Sequence, residues 1–255
     1  MTQDTPTATF RRFTDVQADE PYLIEGLPGH GLVASIATDL VTRQLELEHH
    51  GSIVSDEFPS VAPFKDGRVQ DLVRVYAGEE PPVLTLQSDV PLPGRAFEPL
   101  ANCVLEDLAA EFEFAIFLTG APAGSEEEIG EVFGVATTDE VEAELREADI
   151  RIADGFGLIG GVTGALVSAC NQAGVPASVL VVKANPYLPD PTAAQSVIEN
   201  ALEPLVDFDI DTTELEEQAD EIRKQMEEIS KHYQQMMASE GQDPPEEPSG
   251  PTMFQ

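Results

Sequence analysis

Reactive chemistry in this 255-residue chain has few places to start. The first is Gly26-Leu-Pro-Gly-His-Gly31, set between an apolar strand signal and a helical stretch. Backbone amides in a glycine turn at a helix N-terminus can hold an anion. This turn matches neither Gly-x-Gly-x-x-Gly nor Gly-x-x-x-x-Gly-Lys-Ser/Thr, and no lysine lies nearby to meet a phosphate. Gly26, Gly29, His30 and Gly31 thus form a candidate ligand turn with two readings. One is anion binding; the other is a turn whose glycines let the helix pack close to the strand. As a general base, His30 needs an orienting carboxylate, and Glu25 and Asp89 are the candidates. The plainer alternative is a turn histidine bonded to a backbone carbonyl.

The remaining candidates carry less. His49 and His50 sit beside Glu48, but adjacent strand residues face opposite ways and make a poor metal pair. Gly160-Gly-Val-Thr-Gly164 is either a second anion loop or a close helix contact, and the contact is preferred. Asp89, in Ser88-Asp-Val-Pro-Leu-Pro-Gly94, follows a strand, where open α/β sheets bind ligands. There is no Gly-x-Ser-x-Gly elbow and no ordered Ser/His/Asp set. Cys103 and Cys170 read as packed, reduced thiols, outside any disulfide framework. No catalytic set, metal site or cofactor is expected.

The elements that must position these residues alternate. Strand signals fall at 21–26, 52–55, 69–76, 82–86, 114–118 and 177–182, and helices at 32–41, 96–111, 164–170 and 192–205. Strands apolar throughout, alternating with helices, predict a mostly parallel sheet covered on both faces, a three-layer α/β/α sandwich. The domain is expected over residues 15–208, with 1–14 disordered.

Beyond residue 211 the pattern changes. Leu215, Ala219, Ile222, Met226, Ile229, Tyr233 and Met236 recur by fours and threes, a heptad seam over 212–238. Such a stripe suits a coiled coil or helical hairpin; an amphipathic helix lying on its own domain is the alternative. Residues 239–255 read as a disordered tail. No aliphatic or aromatic side chain other than proline occurs between Ala238 and Met253, yet the tail ends on Met253-Phe254-Gln255.

Charge narrows the partners. The net charge of −35 comes from 48 acids against 13 Lys and Arg, and lysine occurs only at 65, 183, 224 and 231. Such a surface repels nucleic acid and anionic lipid, so neither is an expected partner. The acids are spread over every segment, which favours adaptation to a high-salt cytoplasm over one acidic docking patch. No apolar run of about 18 residues occurs, and no signal-like start precedes the first strand. A cytoplasmic protein is expected.

Five stretches together resemble the archaeal and bacterial relatives of the proteasome assembly chaperone family. They are Gly26-Leu-Pro-Gly-His-Gly-Leu-Val33, Ser88-Asp-Val-Pro-Leu-Pro93, Thr119-Gly-Ala-Pro122, Gly160-Gly-Val-Thr-Gly164 and Pro189-Asp-Pro-Thr-Ala-Ala194. The resemblance spans about residues 20–206. It implies a nucleoside-phosphorylase-like α/β/α sandwich without established catalysis, in a homo-oligomer; the seam, which buries nothing unless it meets another helix, sets the expected count at trimer to pentamer. Halophilic archaea fit the charge. It further implies binding to the α-subunits of the core proteasome through a C-terminal hydrophobic–tyrosine–any-residue motif. Met253 fits the hydrophobic place, Phe254 stands where tyrosine is usual, and Gln255 carries the carboxylate. A small-molecule or nucleotide enzyme at the Gly26–Gly31 turn is the alternative, and a scaffold for an unrelated partner is the third.

Overall fold

The computed structural model describes residues 7–16 and 18–240, with backbone alone for 226, 227 and 229–240. In chain order the elements begin with β1 (Ala8–Arg12), β2 (Tyr22–Gly26), α1 (Val33–Gln44) and β3 (Glu48–Ser55). The short pair β4 (Phe64–Lys65) and β5 (Arg68–Val69) precedes β6 (Val73–Gly78) and β7 (Val83–Ser88). Then come α2 (Phe97–Cys103), β8 (Phe114–Pro122), β9 (Val132–Ala136), α3 (Asp139–Glu147) and α4 (Gly161–Ala173). The chain continues with β10 (Ala177–Ala184), α5 (Pro191–Val197), α6 (Glu203–Val206) and α7 (Thr213–Glu240).

Eight strands form one sheet in the order β1-β3-β6-β7-β2-β8-β10-β9. The central four, β7, β2, β8 and β10, run parallel. The flanking pairs are antiparallel. Parallel strands joined by helical crossovers are covered on both faces, so both alternating sets of side chains must be apolar. In β2, Leu23 belongs to a core shared with α2 and α4, while Ile24 joins one shared with α1, α3 and α5. The same alternation holds in β8, with Ala115 and Phe117 against Ile116 and Leu118. The result is the α/β/α sandwich that the apolar strands imply.

The edges differ from expectation. Ala8–Arg12, inside the segment expected to be disordered, pairs antiparallel with β3 from Ala8↔Ser55 to Arg12↔Gly51. Gly51 makes room for it: a Cβ there would press into the Phe10 ring and the Arg11 carbonyl. The strand signal over 69–76 is divided between β5 and β6. β9 and α3 are further elements in a stretch with little apolar pattern. Thr138 caps α3, its hydroxyl accepting from the Val141 amide at 3.2 Å.

The described residues divide into two compact units between Glu216 and Glu217. α7 begins in the first. Leu215, expected as the first seam position facing another helix, is only 1% exposed and packs in the core of its own domain. This corrects the seam at its start: the domain reaches past residue 208 and uses that side chain itself. Ala219 and Ile222 lie in α7 and are partly exposed. The side chains of Met226, Ile229, Tyr233 and Met236 lie outside the described residues, as do Met253, Phe254 and Gln255 altogether.

Candidate functional site

β2 is the switch point of the sheet: the connection through α1 leads to strands on one side, and β8 follows on the other. Open α/β sheets place ligands at the carboxyl ends of strands at such a point. The five resembling stretches meet there. Gly26 pairs with Gln87, next to Ser88 at the end of β7. Thr163, at the start of α4, donates its hydroxyl to Glu25 at 3.4 Å. The Gly31 carbonyl accepts from the Asp190 amide at 2.9 Å. Asp190 in turn caps α5, accepting from the Ala193 amide at 3.0 Å and the Asn185 amide at 2.7 Å.

Glycine is required in this hub for close approach. A Cβ on Gly26 would overlap the Thr38 side chain of α1, and one on Gly120 would overlap the His30 carbonyl. Gly31 sits at φ +64°, in the left-handed region that glycine occupies without strain. Gly29 is different, with no atom within 4 Å of a Cβ built on it. The Gly26–Gly31 turn therefore owes two of its three glycines to packing or backbone conformation.

Glu25 is fully buried. Burial pushes its carboxyl up to about 8, against the opposing pull of the Leu27 and Leu118 amides and the Thr163 hydroxyl. At neutral pH it is a neutral acid inside the α2/α4 side of the sheet. Asp89 is turned the other way, bonded to the Arg74 guanidinium at 2.8 Å. His30 Nε2 is buried without a partner, so neither carboxyl orients it and no backbone carbonyl meets that nitrogen. The base–carboxylate pair considered for His30 is not assembled: Glu25 is bonded to the Leu27 amide and the Thr163 hydroxyl, and Asp89 to Arg74.

Sequence reasoning missed a polar clasp at the other end of the molecule. Buried His50 meets Glu111 through Nε2 at 2.8 Å and the Thr14 hydroxyl through Nδ1 at 3.0 Å, and Arg12 pairs with the same Glu111. A β-bulge between His49 and Gly51 accompanies this turn inward of His50. The clasp ties the N-terminal strand to the segment after α2. Burial pushes the thiols of Cys103 and Cys170 up to about 12 and about 11, which keeps them protonated and poor nucleophiles. Among the described residues no cluster of His, Cys, Asp or Glu is arranged to hold a metal ion.

The fold and hub can be set beside known proteins. The model of the PAC2 family matches residues 23–230. The chain belongs to the PAC2 family. Two uncharacterized Methanocaldococcus jannaschii proteins, MJ0106 and MJ1210, are similar along nearly their whole length. MJ0106 is 26% identical, covering 88% of this chain and 91% of its own. MJ1210 is 28% identical, covering 93% and 94%. Among solved structures, Pyrococcus furiosus PbaA, described as an archaeal homologue of proteasome-assembly chaperone, superposes with a TM-score of 0.77 at 23% identity, over 92% of this chain and 96% of its own. PbaB of the same organism, described as an archaeal proteasome activator, gives 0.78 at 19% identity, over 88% and 99%.

Apolar side chains stand at the rim of the hub in this PAC2 chain. Phe156 and Leu158, on the loop before α4, are 91% and 87% exposed, and Tyr187, between β10 and α5, is 90% exposed. Residues 155–182 contain no charged side chain at all, in a chain of net charge −35. No helix among the described residues is long and apolar enough to cross a membrane.

Proposed function

We propose that this PAC2 chain is a non-enzymatic, homo-oligomeric assembly chaperone or activator of the core proteasome, docking on its α-subunits through Met253-Phe254-Gln255. What carries the reading is membership of PAC2 over residues 23–230, joined to full-length similarity in fold to PbaA and PbaB. The consumed acids of the hub support it, since an enzyme at the glycine turn would need a free base or nucleophile there.

The tail supplies the chemistry of docking. A free carboxylate pairs with a basic group, while the Phe254 ring and the Met253 thioether fill apolar space between neighbouring subunits. Tethered tails on one oligomer reach several pockets of a ring, so weak single contacts multiply. Phe254 lacks the hydroxyl of the usual tyrosine, which weakens each tail by about 0.5–1.5 kcal/mol if that group is bonded in the pocket. Self-association, three to five copies, is favoured by the uncharged rim with Phe156, Leu158 and Tyr187, where like-charge repulsion between copies is least.

Capture of core proteasome particles in molar salt tests the reading. The full chain should retain them; a chain lacking residues 253–255 should lose nearly all retention, and Phe254→Ala most of it. Equal retention with and without the tripeptide would overturn tail docking, and no retention by either would overturn the proteasome as partner.

A further inference from the structure

Between β3 and β6 the chain runs out into the β4–β5 hairpin. Asp66 and Gly67 sit at φ +51° and +76°, the left-handed pair of a two-residue hairpin turn. Pairing continues past the strands, with the Gln70 amide donating to the Pro63 carbonyl at 2.9 Å. All six residues from Phe64 to Val69 are exposed, so the hairpin projects as an arm. Phe64 and Val69, directly opposite each other, are each 75% exposed, and Val61 just ahead of them is 51% exposed. Beside the arm, an open polar cleft of about 310 Å³ is lined by Lys65, Glu46, Arg74 and Gln87. The turn preorganises the arm, so little order has to be acquired on docking.

The arm is also cationic. Lys65 and Arg68 pair across the ladder, on the face opposite Phe64 and Val69. Among the described residues neither has an acid within ion-pair distance, although the chain carries 48 acids. Residues 58–70 hold Lys65 and Arg68 against Asp66 alone, a net +1 where the whole chain carries −35. A surface that fits this arm is apolar and edged by acids. The chain carries one itself. Phe156, Leu158 and Tyr187 form the exposed rim of the hub, with exposed Asp154 just ahead of Phe156 and exposed Glu126 and Glu127 just past β8.

Topology sets the two surfaces apart on one molecule. β3, β7, β2, β8 and β10 all point the same way. The arm follows β3, Glu126 and Glu127 follow β8, and Tyr187 follows β10, so all lie at one end of the sheet. Phe156 and Leu158 precede α4, whose Thr163 meets Glu25 at that same end. The arm is on the β3 side of β2 and the rim on the β8–β10 side. Arm on arm would set cations against cations, whereas arm on rim is a head-to-tail contact, which closes into a ring when its rotation allows. Resting on the self-association read above, we propose that the Phe64–Val69 arm grips the next copy of this chain in such a ring. Phe64 and Val69 cover the Phe156–Leu158–Tyr187 rim, while Lys65 and Arg68 reach the acids at its edge.

Sedimentation equilibrium of the full chain in molar potassium chloride tests this. The parent should run as a multimer. Phe64→Glu and Leu158→Glu should each weaken association about a hundredfold or more, giving monomers at concentrations where the parent is assembled. Both positions are exposed, so folding is preserved, which circular dichroism verifies. Mixed one to one, the two variants should form a dimer and stop there, since one keeps an intact rim and the other an intact arm. Lys65→Gln combined with Arg68→Gln should weaken association about fivefold. A multimeric parent whose size neither glutamate variant changes would overturn the arm and leave self-association standing; a monomeric parent would remove both. Failure of the mixture to dimerise would overturn the pairing of arm with rim. Loss of core-proteasome capture by Phe64→Glu, with the multimer intact, would assign the arm to the proteasome and overturn the proposal.

Discussion

The hub at the end of β2 and the cleft beside Arg74 are one strand apart: Gln87 of β7 pairs with Gly26 on one side and Arg74 on the other. They nevertheless differ in packing and in charge. In the hub, Glu25 is neutral and bonded, Gly26 and Gly120 are pressed against neighbours, and His30 Nε2 is buried without a partner. In the cleft, a permanently charged arginine keeps one buried N–H unmatched. The region rich in sequence motifs is thus a packed joint, and the region without a motif is an open polar cleft. Close-packed interiors tolerate little change, whereas a solvated cleft can lose a side chain without loss of fold.

The largest expected effect follows from Glu25. Its folded-state value of about 8 lies above the ordinary 4.5, so the folded protein holds the proton more tightly than the unfolded chain. The stability this group contributes is complete below about pH 4.5, declines as pH rises through that interval and is gone above about 8, a difference on the order of 5 kcal/mol. Glu25→Gln imitates the neutral acid at all pH. Urea unfolding in constant molar salt should find the two proteins close together near the acid end of this window, and the variant more stable above its alkaline end. A gap of the same size at both ends would show that Glu25 is not a proton store.

A smaller effect separates the glycines of one turn. Gly26→Ala places a methyl on Thr38, whose hydroxyl is held by the Ala34 carbonyl at 2.8 Å, and should cost about 3 kcal/mol. Gly29→Ala meets nothing and should change stability by less than about 0.5 kcal/mol. Thermal melts of the pair decide it. If both are equally tolerated, the hub is looser than its contacts indicate, and the anion-loop reading regains ground.

Much of this was legible in the chain itself. Apolar runs such as Phe114–Leu118 and Ala177–Val182 mark buried parallel strands because both faces must be covered. The five resembling stretches mark the hub because each holds a close contact there. Short edge elements were not legible: β1, Ala-Thr-Phe-Arg-Arg, has a single large apolar residue, Phe10, and draws its order from pairing with β3. α3 has two buried apolar residues, Val141 and Leu145, and only its Thr138 cap announces it. Glu25 stood out as a carboxylate beside a turn, but its burial, which decides its charge, comes from α4 far along the chain. The cleft left no trace at all, since Arg74, Lys65 and Glu46 are brought together only by tertiary contacts among α1, the hairpin and β6.

The smallest effect makes the contrast sharp. Lys65 is exposed on a two-residue strand, with no ion pair among the described residues, so Lys65→Gln removes a charge without opening a cavity. Its expected stability change is within about 0.5 kcal/mol, and molar salt should shrink it further. The denaturation midpoint should therefore coincide with that of the parent chain. A loss comparable to that of Gly26→Ala would mean that Lys65 holds the hairpin to the domain. The cleft would then hold the fold together no less than the hub does, and the division between a packed joint and an open cleft would disappear.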